Sequence, residues 1–268
     1  MKRYIRITAL IMGVTLMLAL FAGCAKKAAK TDIGLLNTGI LKVGSEIGYP
    51  PFEFYADDGV TPMGLDVDLA NAIAEHLGIK AEFEDTAWEG IFSGLGIDKY
   101  DVVMSSVTIT GERKLTMDFS NPYIENWQSI VVKKGSAPIT SVEGLEGLLV
   151  GYQGATTSDE YLADMIDTGV VNCRVAAYDK VLNCFDDLRL GRIDAAIVDS
   201  VVSEGYVDRE PDTFEITWHQ KNVAGAEPEL FGVAIKKGNT KLLEAVNGAL
   251  AALEQSGKLD EIRQNWLS

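Results

Sequence analysis

The chain has 268 residues, 47% of them apolar, with 39 acidic against 24 basic side chains and a formal charge of −15 at pH 7. That apolar share is ample for a folded core, and the acidity argues against nucleic acid or an anionic membrane face as a partner. Beyond the first two dozen residues, the length fits one large domain or two lobes of roughly 100 residues each.

Residues 1–24 read as a processing segment. Lys2, Arg3 and Arg6 precede an apolar run over residues 7–20 that is short for a membrane span. The run closes Leu20-Phe21-Ala22-Gly23-Cys24, which resembles the lipobox of bacterial lipoproteins. The resemblance implies a signal peptide over residues 1–23 and a lipid on Cys24, the alternative being an ordinary signal peptide with a chance cysteine. Residues 24–37, which include Ala25-Lys26-Lys27-Ala28-Ala29-Lys30, then read as a polar tether. Without the three basic leader residues the exported chain is three charges more acidic. Cys173 and Cys184 remain, and export permits a disulfide between them, although two free thiols fit as well. His76 and His219 are isolated and no C-x-x-C occurs, so neither a metal nor a cofactor is expected.

From residue 41 the pattern alternates short β-branched runs with amphipathic helices, the signature of an α/β fold with largely parallel sheets. Residues 41–45 read as a strand, followed by a loop rich in Pro50, Pro51, Asp57, Asp58 and Gly59. A helix is expected over residues 67–77, capped by Asp66 and stopped by Gly78, with Asp68 on its surface. Strands at 80–83 and 101–104 flank a helix at 88–95. A strand at 128–133 leads to the break Gly135-Ser136-Ala137-Pro138, where a second series begins. It comprises strands at 148–151, 173–176 and 195–198, with helices at 159–166, 178–190 and 201–206. A strand at 231–236 and helices at 240–256 and 258–266 close the chain. The likeness of the two series suggests two similar lobes.

In open α/β sheets, ligands lie beyond the carboxyl ends of the strands. Four such ends carry polar or aromatic groups here. The first strand delivers Glu46 and Tyr49. The third delivers Ser105, Ser106 and Thr108 with Arg113 close behind, and an arginine fork among donors suits a small carboxylate. The strand at 148–151 delivers Gln153 and the helix start at Thr157, whose free N–H groups favour an anion. The strand at 195–198 delivers Asp199, an acceptor suited to an ammonium. A carboxylate grip and an ammonium grip on facing lobes describe an α-amino acid.

Five segments carry a further likeness: residues 43–53, Gly64-Leu65-Asp66-Val67-Asp68-Leu69-Ala70, the run from Ser105 to Arg113, Asp118-Phe119-Ser120-Asn121-Pro122-Tyr123, and Gly191-Arg192-Ile193-Asp194-Ala195. In this order they resemble bacterial solute-binding proteins of the polar amino-acid class, family 3. The resemblance implies a two-lobed α/β fold of the type II periplasmic-binding-protein kind, with a two-stranded hinge. Lobe one would span residues 38–126 and 231–268, and lobe two residues 127–230.

It also implies a monomeric receptor that closes over a free L-amino acid and delivers it to an ABC permease with its ATPase subunits, anchored by lipid on the extracytoplasmic face of the cell membrane. Residue by residue, Arg113 resembles the carboxylate-binding arginine, assisted by Thr108 and by the Thr157 N–H. Asp199 resembles the ammonium-binding aspartate, assisted by Ser106. Tyr49 and Trp88 match an aromatic clamp on the side chain, and Glu46 a position that meets its distal polar group. Ala155 stands before the threonines where the family more often has glycine.

A carboxylate between two aromatic faces suits a guanidinium or ammonium. Arginine is therefore the first expectation, then lysine, histidine or ornithine, with glutamine behind. No chemistry on the ligand is required, so no catalytic residue is assigned. A dehydratase of small carboxylic acids on the same fold, using Glu46 or Asp199, and a sensor ectodomain are the alternatives.

Overall fold

The computed structural model describes residues 32–267, so the expected signal peptide, Cys24 and the first part of the tether lie outside the described residues. Leu36 N–H donates to Asp101 Oδ1 at 2.6 Å, and Asn239 Nδ2 donates to Gly34 O at 2.9 Å, which ties the backbone ahead of the first strand to the fold.

The first lobe begins with β1 (Ile40–Ser45), a short hairpin of β2 (Phe54–Tyr55) and β3 (Pro62–Met63), and helix α1 (Leu65–His76). It continues through β4 (Lys80–Asp85), α2 (Trp88–Gly96), β5 (Val102–Val103), the single turn α3 (Arg113–Thr116) and β6 (Met117–Phe119). Strand β7 (Ile124–Asn126) leads across into the second lobe. That lobe holds β8 (Gln128–Lys133), β9 (Leu149–Gln153), α4 (Thr157–Asp167), β10 (Arg174–Tyr178), α5 (Val181–Arg189), β11 (Ala195–Asp199), α6 (Ser200–Arg209) and β12 (Phe214–His219). The chain returns through β13 (Glu229–Phe231) to β14 (Ala234–Lys236), α7 (Thr240–Gln255) and α8 (Lys258–Trp266).

Each lobe is built on one five-stranded sheet, in the order β4-β1-β5-β14-β6 in the first and β10-β9-β11-β8-β12 in the second. β1 is parallel to β4 and β5, and β9 to β10 and β11, while β14 and β8 run antiparallel to their neighbours. Burial is nearly continuous along the central strands β1, β5, β8, β9 and β11, as a sheet covered on both faces demands. In β5, Val102 packs with Leu69, Ile73 and Val246 on one side, and Val103 with Ile91 and Leu95 on the other. In β11, Ala195 and Ile197 face Leu162, while Ala196 and Val198 face Phe185 and Leu188. Gly44 is required in β1 because any Cβ there would strike the Tyr100 ring at 2.6 Å.

The lobes are joined where β7 and β13 pair antiparallel, Asn126 opposite Glu229 and Ile124 opposite Phe231. Each strand runs directly on into a different sheet, so this ribbon is the hinge. Loop 107–109 is stitched to it: Ile109 N–H donates to Leu230 O at 2.8 Å and Gly232 N–H to Val107 O at 3.0 Å.

Four expectations need correction. Asp66 does not cap α1: the N-cap is Gly64 with no side-chain bond, and Asp66 is buried in the first turn. Asp68 is half-buried rather than surface-bound, accepting from Trp266 Nε1 at 2.8 Å. Tyr178 ends β10 instead of opening a helix, because its hydroxyl reaches Asp187 on α5 at 2.9 Å. The strand expected at 231–236 is divided between hinge and sheet, and β12 was not foreseen at all. Cys173 and Cys184 are free thiols on opposite faces of the second sheet. Among the described residues no helix is long and apolar enough to cross a membrane.

Candidate functional site

All ten residues singled out as ligand contacts line one cavity of about 320 Å³, counted with its mouth, together with Glu53 and Thr156. The strand ends of both sheets open onto it, as the topology of such sheets requires.

Glu46 follows β1 directly. Its Oε1 accepts from the Trp88 N–H at 3.3 Å, at the first turn of α2, and its Oε2 accepts from Gln153 Nε2 at 2.6 Å. Burial raises its pKa, and those two donors pull it back. Gln153 spends its second amide hydrogen on Asp179 O at 3.0 Å. Tyr49 donates to Asp199 Oδ2 at 2.6 Å across the cleft. The Trp88 indole does the same toward Ala155 O at 2.8 Å. Ala155 sits at φ +59°, the left-handed region that glycine prefers, and its N–H is held by Asp159 at 3.0 Å. Cross-lobe bonds of this kind each add about 0.5–1.5 kcal/mol to the closed arrangement.

Ser105 is committed to the protein: it accepts from Glu46 N–H at 3.0 Å and donates to Glu53 Oε1 at 2.9 Å. Ser106 differs. Its backbone is held at φ +53° by Asp66, which accepts its N–H at 2.8 Å, and its buried hydroxyl has no partner among the described residues. A buried hydroxyl with unmet hydrogen-bonding capacity on a strained loop is a group positioned for an incoming polar atom.

Arg113 opens α3 and is buried. Its guanidinium makes one hydrogen bond among the described residues, to Thr108 O at 3.0 Å, and lies 5.4 Å from the Trp88 ring and 5.2 Å from Phe92. Five donors therefore converge on the cavity with most of their capacity unspent on the protein. Burial works against its charge, and Glu160, Asp199 and Glu229 sustain it. Thr108 and Thr157 approach to 3.4 Å between hydroxyls, one from each lobe. Thr156 caps α4, its Oγ1 accepting from Asp159 N–H, and Thr157 follows in the first turn, where N–H groups have no intrahelical acceptor.

Asp199 precedes α6 but makes no side-chain bond to that helix. Its carboxylate instead accepts from Tyr49, from Asn126 Nδ2 at 2.7 Å and from Gln128 Nε2 at 3.0 Å. Burial raises its pKa against those three bonds and the field of Arg113.

Five further residues lie in or next to the cavity that the sequence reading does not single out. Glu53 is fully buried, and burial, Asp66 and Glu46 hold its carboxyl well above the ordinary range. Thr156 lines the cavity beside Thr157. Asn126 and Gln128 are fully buried polar residues at the hinge, and their period-2 spacing was the available signal. Glu229 gave no signal: it follows Pro228 in a loop-like stretch and meets Gln128 from 101 residues away.

Comparison with known proteins agrees with this geometry. Residues 41–268 match the bacterial extracellular solute-binding proteins, family 3. The chain is 38% identical over 261 residues to the L-cystine-binding protein TcyJ of Escherichia coli (strain K12), covering 96% of this chain and 94% of that one. Among solved structures it is similar to an ancestral arginine-binding protein bound to arginine, with a TM-score of 0.78 and 39% identity over 86% of this chain and 99% of the other. It is also similar to the ancestral amino acid-binding protein AncCDT-1, a precursor of cyclohexadienyl dehydratase, with a TM-score of 0.77 and 34% identity over 86% of this chain and 96% of that one.

Proposed function

The chain belongs to the bacterial extracellular solute-binding proteins, family 3, and on that premise we propose that it is the amino-acid-binding component of an ABC importer, with L-arginine as its first ligand. The observation that carries the ligand class is the imbalance of charge. Glu46 and Asp199 line the cavity as acids beside the more strongly shifted Glu53 carboxyl, and Arg113 is the sole cationic side chain in the lining.

Arg113 takes the α-carboxylate with the Thr108 and Thr157 groups beside it. Asp199 and the Ser106 hydroxyl take the α-ammonium. Glu46, next to the Trp88 clamp, is then left facing the side chain and is matched by a distal cation. Because these groups come from both lobes, the ligand binds the closed arrangement more tightly than an open one, and that difference drives closure. Lysine, histidine and ornithine follow on the same argument, and glutamine lacks the charge.

The likeness to an L-cystine-binding protein favours a second reading. The distal ammonium of cystine would suit Glu46 as well, but its distal carboxylate would enter an acid-lined space, so cystine ranks behind arginine. A dehydratase role is less supported, because Glu46 and Asp199 already accept five hydrogen bonds between them from the protein. Lipid anchoring through Cys24 on the extracytoplasmic face, delivery to a permease and its ATPase subunits, and a monomeric state belong to this same reading.

A thermal-shift panel on the full chain tests it, with arginine, lysine, ornithine, histidine, glutamine, cystine and the remaining amino acids. A ligand present at 100 times its Kd adds about 2.7 kcal/mol, and arginine is expected to give the largest shift. A larger shift with cystine moves the specificity to the second reading, and no shift with any amino acid sinks the function.

A further inference from the structure

The hinge contributes more than flexibility to this site. Glu229, on β13, lies beside Asp199, at the end of β11, and the two carboxyls share their donors. Asn126 Nδ2 reaches Asp199 Oδ1 at 2.7 Å and Glu229 Oε2 at 3.1 Å. Gln128 Nε2 reaches Asp199 Oδ1 at 3.0 Å and the two Glu229 oxygens at 3.2 and 3.1 Å. Thr157 Oγ1 adds a bond to Glu229 Oε2 at 3.1 Å.

The orientation of both amides is fixed from behind. Ser200 donates to Asn126 Oδ1 at 3.2 Å and Ser158 to Gln128 Oε1 at 2.7 Å, so both NH₂ groups must face the acids. Gln128 has two hydrogens for acceptors on Asp199, Glu229 and Thr157, and cannot serve all of them at once. Among the described residues neither acid forms an ion pair. Two carboxylates this close, with neutral donors only, do not both ionise readily.

We propose that Glu229 is the second acid of the ammonium site, and that any proton it carries in the free protein is given up when the ligand's ammonium arrives, so that capture of an amino acid is coupled to proton release. The step is balanced: the Oε–H bond of Glu229 breaks, its electron pair stays on the carboxylate, and the proton passes to the buffer at the half-exposed side of the hinge. No covalent bond to the ligand forms. Glu229 acts through Asp199, Asn126 and Gln128, as a positioning residue.

The charged and titratable groups around it support this direction. Asp199 disfavours ionisation of Glu229, Arg113 on α3 favours ionisation of the cluster, and the Tyr49 phenol, held well above its ordinary range, stays neutral. Burial, and then Asp199, push Glu229 up to about 7. A cation bound at Asp199 offsets the second of these effects. The free protein thus holds the proton below neutrality and the liganded protein does not, so affinity rises with pH through this window.

The inference rests on the amino-acid-binding reading, and calorimetry on the full chain separates the two. L-arginine is titrated at pH 7 in two buffers of different ionisation enthalpy, and again at pH 6 and pH 8. The wild type is expected to release about half a proton at pH 7, with Kd about tenfold weaker at pH 6 than at pH 8. Glu229→Gln, which keeps the acceptor for Thr157, is expected to release none and to show a flat Kd. Glu229→Asp is expected to restore the release. Binding by the wild type with no dependence on buffer overturns the proposal, as does an unchanged release in Glu229→Gln. Absence of any binding heat, together with an empty thermal-shift panel, overturns the functional reading and this inference with it.

Discussion

Two pairs of acids lie around the cleft, one inside the first lobe and one at the hinge, and they are held in opposite ways. Glu53 and Asp66 sit inside the first lobe. Glu53 takes a hydrogen from Ser105, and Asp66 takes the Ser106 N–H and the Tyr123 hydroxyl, 2.9 Å away on the approach to the hinge. These partners belong to one lobe and fix the shape of the loop that faces the ligand. Asp199 and Glu229 are bound by side-chain amides of two strands that meet at the hinge, and their donors are shared. A carboxylate tied to the frame of its own lobe is construction. One whose donors can be redistributed is available to a ligand. Residue type is alike in the two pairs, whereas Glu229 is half-buried where the other three are buried, and the origin of the donors separates them further.

The comparison can be broken in order of effect. Arg113 is the cation whose field sustains the Asp199 side of the cleft, and it is the proposed carboxylate grip. Arg113→Ala is expected to cost about 2–5 kcal/mol of binding, which is about 30-fold or more in Kd. An unchanged affinity by calorimetry removes it from the site.

Next comes the contrast itself. Asp66→Ala strands two buried donors and should lower unfolding free energy by about 2–4 kcal/mol, read by urea melts. Asp199→Asn should weaken amino-acid binding at least tenfold while moving the melting temperature by a few degrees at most. If the two variants show the same profile, the distinction between the pairs fails.

The pH response sharpens it further. Asp66 is pushed up to about 6 by burial, against an ordinary 3.8. The native state therefore keeps a proton that the unfolded chain loses between about pH 4 and pH 6. Stability should fall as pH rises through that window, by up to about 3 kcal/mol, and level off above it. Glu53 acts in the same direction. Asp66→Asn removes its share, so the difference between wild type and variant, followed by melts from pH 4 to pH 8, should vanish in slope above pH 6. The smallest effect is Trp88→Phe, which deletes the indole bond to Ala155 O and should cost about 1 kcal/mol of closure, seen as an off-rate several-fold faster.

Much of this was legible beforehand, for local reasons. Glu46, Tyr49, Ser105, Ser106, Thr108, Gln153, Thr157 and Asp199 were found because each sits at a strand's carboxyl end, and strand positions follow from alternation and turn residues. Arg113 was found because it stands a few residues beyond such an end. Gly78 ends α1 as read, at φ +68°. The capping role for Asp66 failed because a carboxylate at a helix start satisfies local rules equally well when it faces outward to the first turn or inward to Tyr123. The strand at 231–236 failed because pairing partners, not propensity, divide it: Phe231 pairs with β7, and Ala234 with β5 and β6.

The sequence by itself determined the α/β alternation, the polar strand ends and the acid-rich character of the chain, since periodicity, turn chemistry and charge are written within a few residues of one another. Only the tertiary structure decided that Glu229 and Asn126, 103 residues apart, meet at Asp199, which therefore has a second acid beside it. The physical reason is that a hinge is defined by where the chain crosses between sheets. That crossing is set by strand pairing over long separations, which no local pattern records.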